Sequence, residues 1–354
     1  MLKLLEGVKV LDLTRLLPGP VCTWYLAELG AEVTKIEPPE GDYVRHIPPL
    51  AKKNSYVFLQ LNFNKTCLTL DLKQDSDLQI LKDKVKDAQV FVESFRPGVA
   101  KSLGIDFESL KKINPTLVYC SITGYGQTGP YRDFPGHDLN YLAYSGILEQ
   151  IGNRGAPPAL SNFQIADLSG GSLSACVGIL AALLSAQKKK TAHHLDISML
   201  DCVMGLNQIA LATYQAGMKD VPRGADLLAG GFPFYSIYEV KDGRYGALGA
   251  LEKKFWKNFC EAVGKGDWIS WYGQSPEKFA DFRREIGELF KTKMLPEWEA
   301  LLGDKECCFS PILKISETFK NPQVVARNVY RTHHSEEDGD FLVMDFPIKV
   351  DPSV

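Results

Sequence analysis

An α/β fold with a parallel sheet covered on both faces is the architecture predicted by the first half of this 354-residue chain. Three observations predict it. Short β-rich runs alternate with helical spacing, glycine and proline breaks separate them, and the interval suits strand–helix–strand crossovers. Residues 8–13 read as the first strand. Pro18-Gly19-Pro20 breaks the chain, and residues 23–29 read as a helix ended by Gly30. Residues 31–36 form the next strand, and residues 64–72 alternate as a strand does around Cys67-Leu68-Thr69-Leu70. Residues 77–86 have helical spacing, 88–92 read as a strand, and 117–122 follow a helix that stops near Asn114-Pro115. A doubly wound, Rossmann-like domain follows from this order.

Beyond it, residues 169–185 read as a strongly apolar helix with Lys188-Lys189-Lys190 at its solvated end, and 196–216 as a second long helix. Residues 223–245 are rich in glycine and aromatics, as a linker is. Asp242-Gly243 joins two short strands as a hairpin, and helices dominate from Lys253 to about residue 302. The predicted organisation is a large domain over 1–224, a smaller α+β domain over 225–315, and a segment over 316–354 that returns to the large domain.

Composition narrows the function. With 45% hydrophobic and 23% charged residues the chain is too apolar for disorder. A net charge of -3, from 40 Lys+Arg against 43 Asp+Glu, gives no global basic field for nucleic acid. The apolar run at 173–184 is interrupted by Ser174 and Gly178 and falls short of the ~20 residues of a spanning helix, so no membrane partner is expected. The N-terminus lacks a secretion signal's apolar core, and the C-terminus is not a peroxisomal address. Eight scattered cysteines without a Cys-x-x-Cys pair read as reduced thiols of a cytoplasmic protein.

No Gly-x-Gly-x-x-Gly follows the first strand, so the nicotinamide dinucleotide fingerprint is absent. The glycine-rich stretch from Gly124 to Pro130 reads alone as a tight loop. Three ionisable sites remain. His137 and Asp138 read either as a proton acceptor entering an apolar helix or as a structural helix cap, and spacing alone favours the cap. Asp167 precedes a glycine-opened helix. It reads as an N-cap, or as a base or nucleophile beside backbone N–H groups that stabilise an oxyanion, with Gly170 and Gly171 letting a ligand approach. Glu252 starts a helix or reaches out to orient a histidine. The pairs His193-His194 and His333-His334 read as solvated, with no supporting metal-ligand spacing. Ser121, Ser145 and Ser198 lack a nucleophile elbow.

The chain also carries Leu17-Pro18-Gly19-Pro20, Leu26-Ala27-Glu28-Leu29-Gly30-Ala31-Glu32-Val33, Lys35-Ile36-Glu37-Pro38-Pro39, Leu70-Asp71-Leu72-Lys73, Ser94-Phe95-Arg96-Pro97-Gly98 and Gly124-Tyr125-Gly126-Gln127-Thr128-Gly129-Pro130. Their order resembles the class III CoA-transferase superfamily, and within it the α-methylacyl-CoA racemases. His137 in Gly-His-Asp-Leu-Asn-Tyr and Glu252 in Leu-Glu-Lys-Lys-Phe-Trp match the racemase branch, while Asp167 matches both branches. The resemblance implies an interlocked homodimer in which Glu252 faces His137 of the partner subunit. It implies an acyl-CoA thioester substrate, with CoA carried as part of that substrate and no separate cofactor or metal. It places the nucleotide at Leu70, Asp71, Leu72, Lys73, Ser94, Phe95 and Arg96, and the pantetheine arm at Gly136, Asp138 and Tyr141. Pro38 and Ser102 stand where some racemases have arginines for the CoA phosphates, leaving Lys65, Lys73, Arg96 or Lys101 to compensate. The implied activity is epimerisation at C2 of 2-methyl-branched acyl-CoA through an enolate held by N–H groups near Asp167. The alternatives are a transferase using Asp167 as nucleophile and a non-catalytic acyl-CoA-binding protein.

Overall fold

The computed structural model describes residues 2–218 and 220–350, and the chain divides into two compact units. The first holds residues 2–147, Ser161–Gln208 and residues 323–350. Its centre is a six-stranded sheet: β1 (Lys9–Leu13), β2 (Glu32–Glu37), β3 (Thr66–Thr69), β4 (Val90–Glu93), β5 (Val118–Thr123) and β6 (His193–Ser198). The order is β3-β2-β1-β4-β5-β6, and every neighbouring pair is parallel. This is the Rossmann order, which reverses between β1 and β4. The central strands β4 and β5 are buried along their whole length. Their mostly apolar character is what covering both sheet faces demands, with Glu93, Ser121 and Thr123 as buried polar exceptions towards their carboxyl ends.

The helices that matter here are α1 (Pro18–Glu28), α2 (Asp75–Asp87), α3 (Asp138–Tyr144), α4 (Ser174–Lys189) and α5 (Met199–Gly205). Residues 193–198 extend the sheet as its edge strand, so the helix expected over 196–216 starts only at Met199. Alternation of polar and apolar side chains suits an edge position, and the helix that follows is broken, with α5 succeeded by helical segments at Gln208–Thr213 and Tyr214–Met218. His194 and His334 are exposed, as expected of solvated histidines, while His193 and His333 are part-buried. His194 Nε2 pairs with Ser121 Oγ at 3.1 Å, and the His333 ring lies edge-on to Phe63 at 4.7 Å.

α4 is longer than its sequence suggests. A π-helical turn, Ala166–Leu173, runs straight into it, giving 24 continuous residues, long and apolar enough by length and composition to cross a membrane. The expectation that this run is too short is therefore corrected. Ala175, Cys176, Ile179, Ala182, Leu183 and Ala186 are buried on the face that packs against β5, β6 and α1.

A charged cluster lies beneath the sheet's carboxyl edge. Lys65 Nζ meets Asp12 at 3.1 Å with both side chains fully buried, and Lys35 meets Asp42 at 2.9 Å. Burial alone would raise the Asp12 carboxyl, but Lys65, Lys35, Thr14 and Thr23 hold it far below its usual range. Desolvation brings Lys65 down to about 8. Lys65 is thus committed to an internal partner and does not replace a missing phosphate-binding arginine.

The second unit holds Leu148–Leu160 and Ile209–Pro322. An antiparallel sheet of β7 (Tyr235–Glu239), β8 (Tyr245–Gly249) and β9 (Phe309–Pro311) packs with α6 (Lys253–Ala262), α7 (Phe279–Phe290) and α8 (Leu295–Leu302). Trp256 and Trp298 are fully buried, and their indole N–H groups donate to the carbonyls of Trp268 and Phe290. The expected boundaries at 225 and 315 move. Arg223 donates to the Glu149 carbonyl at 2.7 Å and pairs with its carboxylate, which ties 148–160 and the chain after 209 into this unit. Arg244 clamps Glu317 and the Ile312 carbonyl, so the return to the first unit starts at 323. From there the hairpin of β10 (Tyr330–Ser335) and β11 (Gly339–Met344) packs Phe341 and Val343 against Phe63.

Candidate active site

The reversal of strand order between β1 and β4 leaves a crevice outside the carboxyl ends of the strands, where ligands bind in folds of this kind. A cavity of ≈ 640 Å³ occupies it. Arg15 and Leu16 enter from the loop after β1, Ser94, Phe95 and Arg96 from the loop after β4, and Gly124 and Tyr125 from the loop after β5. Gly136, His137, Tyr141 and Asp167 complete the wall.

Local packing explains these positions. Leu16 has φ 60°, a left-handed conformation uncommon for a residue with a side chain. The Arg15 N–H donates to Ser94 Oγ at 3.1 Å, which joins the β1 and β4 loops. The Tyr141 ring lies against Gly124 and Gly136. A Cβ at either glycine would come within 2.4 and 2.7 Å of that ring. The Tyr141 hydroxyl donates to the Gly136 carbonyl at 2.7 Å, and Asn140 Oδ1 accepts from the His137 N–H at 3.0 Å. His137 caps α3 through its backbone, and its ring is left exposed beside the cavity.

Asp167 lies in the π-helical turn, half-buried. Desolvation, and after it the neighbouring Asp138 charge, pushes its carboxyl up to about 7. Both protonation states are accessible near neutrality, as two-way proton transfer requires. Gly170 and Gly171 pack on protein: their Cβ positions are 3.0 Å from the Met199 carbonyl and from Pro18. They let the turn approach α5 and α1, so the expectation of ligand approach at these glycines is corrected.

The family whose profile matches the chain is CoA-transferase family III, over residues 5–353. The chain belongs to this family. It is 30% identical to the α-methylacyl-CoA racemase of Homo sapiens, across 96% of this chain and 83% of the relative. It is 31% identical to the formyl-CoA:oxalate CoA-transferase of Streptomyces avermitilis, across 100% of this chain and 91% of that protein. The crystal structure of a CAIB/BAIF family protein from Brucella suis superposes with a TM-score of 0.85 at 27% identity, covering 98% of this chain and 93% of that one. The names of the relatives therefore divide between racemases and transferases.

Other sequence expectations for this family III chain are redistributed. Leu70 is buried in the sheet's core and Leu72 packs on the same cluster. The Asp71 carboxylate accepts from the Lys73 N–H, and the Asp71 N–H donates to Asp77 at the start of α2. None of Leu70, Asp71, Leu72 and Lys73 lines the cavity, and neither do Pro38 and Ser102. Asp138 does not line the cavity either. Its Oδ1 accepts from the N–H groups of Ala166 at 2.7 Å and Asp167 at 3.0 Å. The Asp167 N–H is consequently occupied and does not serve an oxyanion. Glu252 occupies the cap position of α6 in the second unit, exposed and without a side-chain capping bond.

Sequence reasoning missed Arg15, Arg132 and Glu93. Arg15 and Arg132 join Arg96 on the cavity wall, giving it three guanidinium groups. Glu93 ends β4, is buried, and accepts the Phe95 N–H at 2.7 Å. Desolvation pushes its carboxyl up from 4.5 to about 7, against the pull of Ser121 and the Phe95 N–H. A carboxyl with a raised folded-state pKa stabilises the fold in its protonated form. That stability is present below about pH 4.5 and lost as pH rises through about 7. Glu93→Gln keeps an acceptor and never ionises. It is expected to be more stable than wild type by about 2–3 kcal/mol above neutrality, as urea unfolding at about pH 8 and pH 5 will show.

Proposed function

We propose that this protein is an α-methylacyl-CoA racemase that inverts C2 of 2-methyl-branched acyl-CoA thioesters by two-base proton transfer. One observation carries the reading: His137 and Asp167 line the same cavity, next to three arginines suited to the phosphates of CoA. The CoA moiety enters as part of the substrate. Arg15, Arg96 and Arg132 hold its phosphates, and the loop from Ser94 to Arg96 supports its nucleotide. Gly136 and Tyr141 border its pantetheine arm.

In one direction the His137 imidazole removes the α-proton. The C–H electron pair becomes the enolate double bond and charge moves to the thioester oxygen. Protonated Asp167 then delivers its proton to the opposite face of C2. In the reverse direction the Asp167 carboxylate accepts and the imidazolium donates. The enolate oxygen needs donors other than the Asp167 N–H. In the first turn of α3 the His137 N–H is held by Asn140 and the Asn140 and Tyr141 N–H groups reach the His137 carbonyl, so the Asp138 and Leu139 N–H groups are the candidates.

The apolar side chains of Leu173, Val177 and Leu184 on one side and of Met204 and Leu206 on another are exposed in the single chain. Surface of this kind supports a homodimer, in which Glu252 from the partner subunit would orient His137. All eight cysteines are unpaired thiols, which supports a cytoplasmic setting.

The test is incubation of single epimers of 2-methylacyl-CoA in deuterated water, across a panel of acyl chains. The expected result is α-deuterium incorporation with inversion. No incorporation with any member overturns the racemase reading. Asp167 also favours a second reading, since a half-buried carboxyl at a cavity wall is placed to attack a thioester. In a CoA-transferase it forms a mixed anhydride as CoA leaves, and then an aspartyl-CoA thioester. A hydroxylamine-sensitive adduct on Asp167 after treatment with acyl-CoA would identify that chemistry.

A further inference from the structure

The loop that carries His137 and the turn that carries Asp167 meet at one side chain. Asp138 Oδ1 accepts both the Ala166 and the Asp167 N–H, at 2.7 and 3.0 Å. His137 directly precedes this anchor, with its own N–H held by Asn140 and the next turn closed by Tyr141 on the Gly136 carbonyl. The two proton-transfer groups are therefore linked through a single residue that does not itself line the cavity. The link also brings two carboxyl groups together in a partly buried place, where like charges oppose each other.

We propose that Asp138 is a positioning residue with two separable tasks: its carboxylate oxygen fixes the His137 turn against the Asp167 turn, and its negative charge opposes a second negative charge at Asp167. This rests on the racemase reading and adds to it a residue that couples the two bases. The charged surroundings of Asp167 are few. From α3 come Asp138 and the Tyr141 phenol, whose own ionisation Asp167 opposes, with His137 at the cap. The elements packed on the π-helical turn carry Tyr25 and Glu28 on α1, Lys188 and Lys189 on α4, Asp201 on α5 and His193, His194 and Asp196 on β6; among the described residues the charge that raises the Asp167 carboxyl is that of Asp138. The electrostatic task thus belongs to one residue, and a single substitution can remove it.

The two tasks separate in two variants. Asp138→Asn keeps an oxygen to accept the two N–H groups and removes the charge. Asp138→Ala removes both. With Asp138→Asn, racemisation in the direction where Asp167 donates is expected to lose activity at lower pH than wild type, by about one pH unit, with KM within about twofold. With Asp138→Ala the same shift is expected, together with a fall in kcat of about tenfold or more from the unanchored His137 turn. A second readout needs no turnover. The Asp167 carboxyl is followed by 13C NMR in aspartate-labelled protein and identified by its absence from Asp167→Asn. Its midpoint, about 7 in wild type, is expected to fall in Asp138→Asn. An unchanged midpoint in Asp138→Asn overturns the electrostatic task, and wild-type kinetics in Asp138→Ala overturn the anchoring task. Absence of deuterium exchange in wild type overturns the racemase reading while leaving the carboxyl titration to decide the role of the Asp138 charge.

Discussion

Asp167→Asn is expected to lower turnover of 2-methylacyl-CoA by about a thousandfold or more, with little change in KM. A positioned acid–base group contributes about 10²–10⁴ in rate, and Asp167 is one of only two such groups assigned to C2. The substitution is nearly isosteric. The Asp167 backbone N–H still reaches Asp138, and the turn keeps its packing through Gly170 and Gly171 on Met199 and Pro18. The arginines of the cavity are untouched, so affinity for CoA measured by calorimetry should stay within about twofold. Residual exchange should be one-sided. The epimer whose α-proton faces His137 still gives up that proton and regains one from solvent at the same face, with retention. Its mirror partner loses exchange altogether. Turnover within tenfold of wild type would remove Asp167 from the reaction, in the racemase and the transferase alike.

Much of the sheet could be read from residues alone because its central strands are buried on both faces. β4 and β5 are mostly apolar, with Val90-Phe91-Val92 and Val118-Tyr119-Cys120 at their starts, and such runs stand out in any sequence. The edge strand β6 could not be read that way. His193, His194 and Asp196 break the apolar pattern, and only pairing with β5 makes the segment a strand. The same division applies to the site. His137 and Asp167 stand out as ionisable residues where a helix begins, but spacing alone favours capping roles for them, and their pairing as a site comes from the family resemblance. The link between them was not legible, since Asp138 meets Ala166 across 28 positions of sequence. Arg15 was equally hidden. Its importance comes from the reversal of strand order between β1 and β4, and strand order is a property of the assembled sheet. The fate of Lys65 depended on burial, which paired it with Asp12 beneath the sheet edge and withdrew it from any ligand.

His137→Ala separates the two chemistries that Asp167 can serve. A racemase needs a group on each face of C2, so loss of the imidazole is expected to abolish inversion, again by about 10²–10⁴ or more. A transferase needs only the nucleophile, so acyl transfer through Asp167 would survive within about tenfold. The exchange pattern carries further information. With His137 gone, the Asp167 carboxylate still serves its own face, so the epimer presenting its α-proton there should wash out label with retention. This is the opposite epimer from the one that survives in Asp167→Asn. Complementary, one-sided exchange in the two variants is a signature that a single shared base cannot produce. If both variants instead spare the same epimer, the two groups do not act from opposite faces, and the two-base mechanism fails. His137→Ala should leave the fold intact, because its backbone N–H, not its ring, makes the bond to Asn140 that starts α3. Loss of inversion in a variant with an unchanged thermal midpoint therefore reports on chemistry.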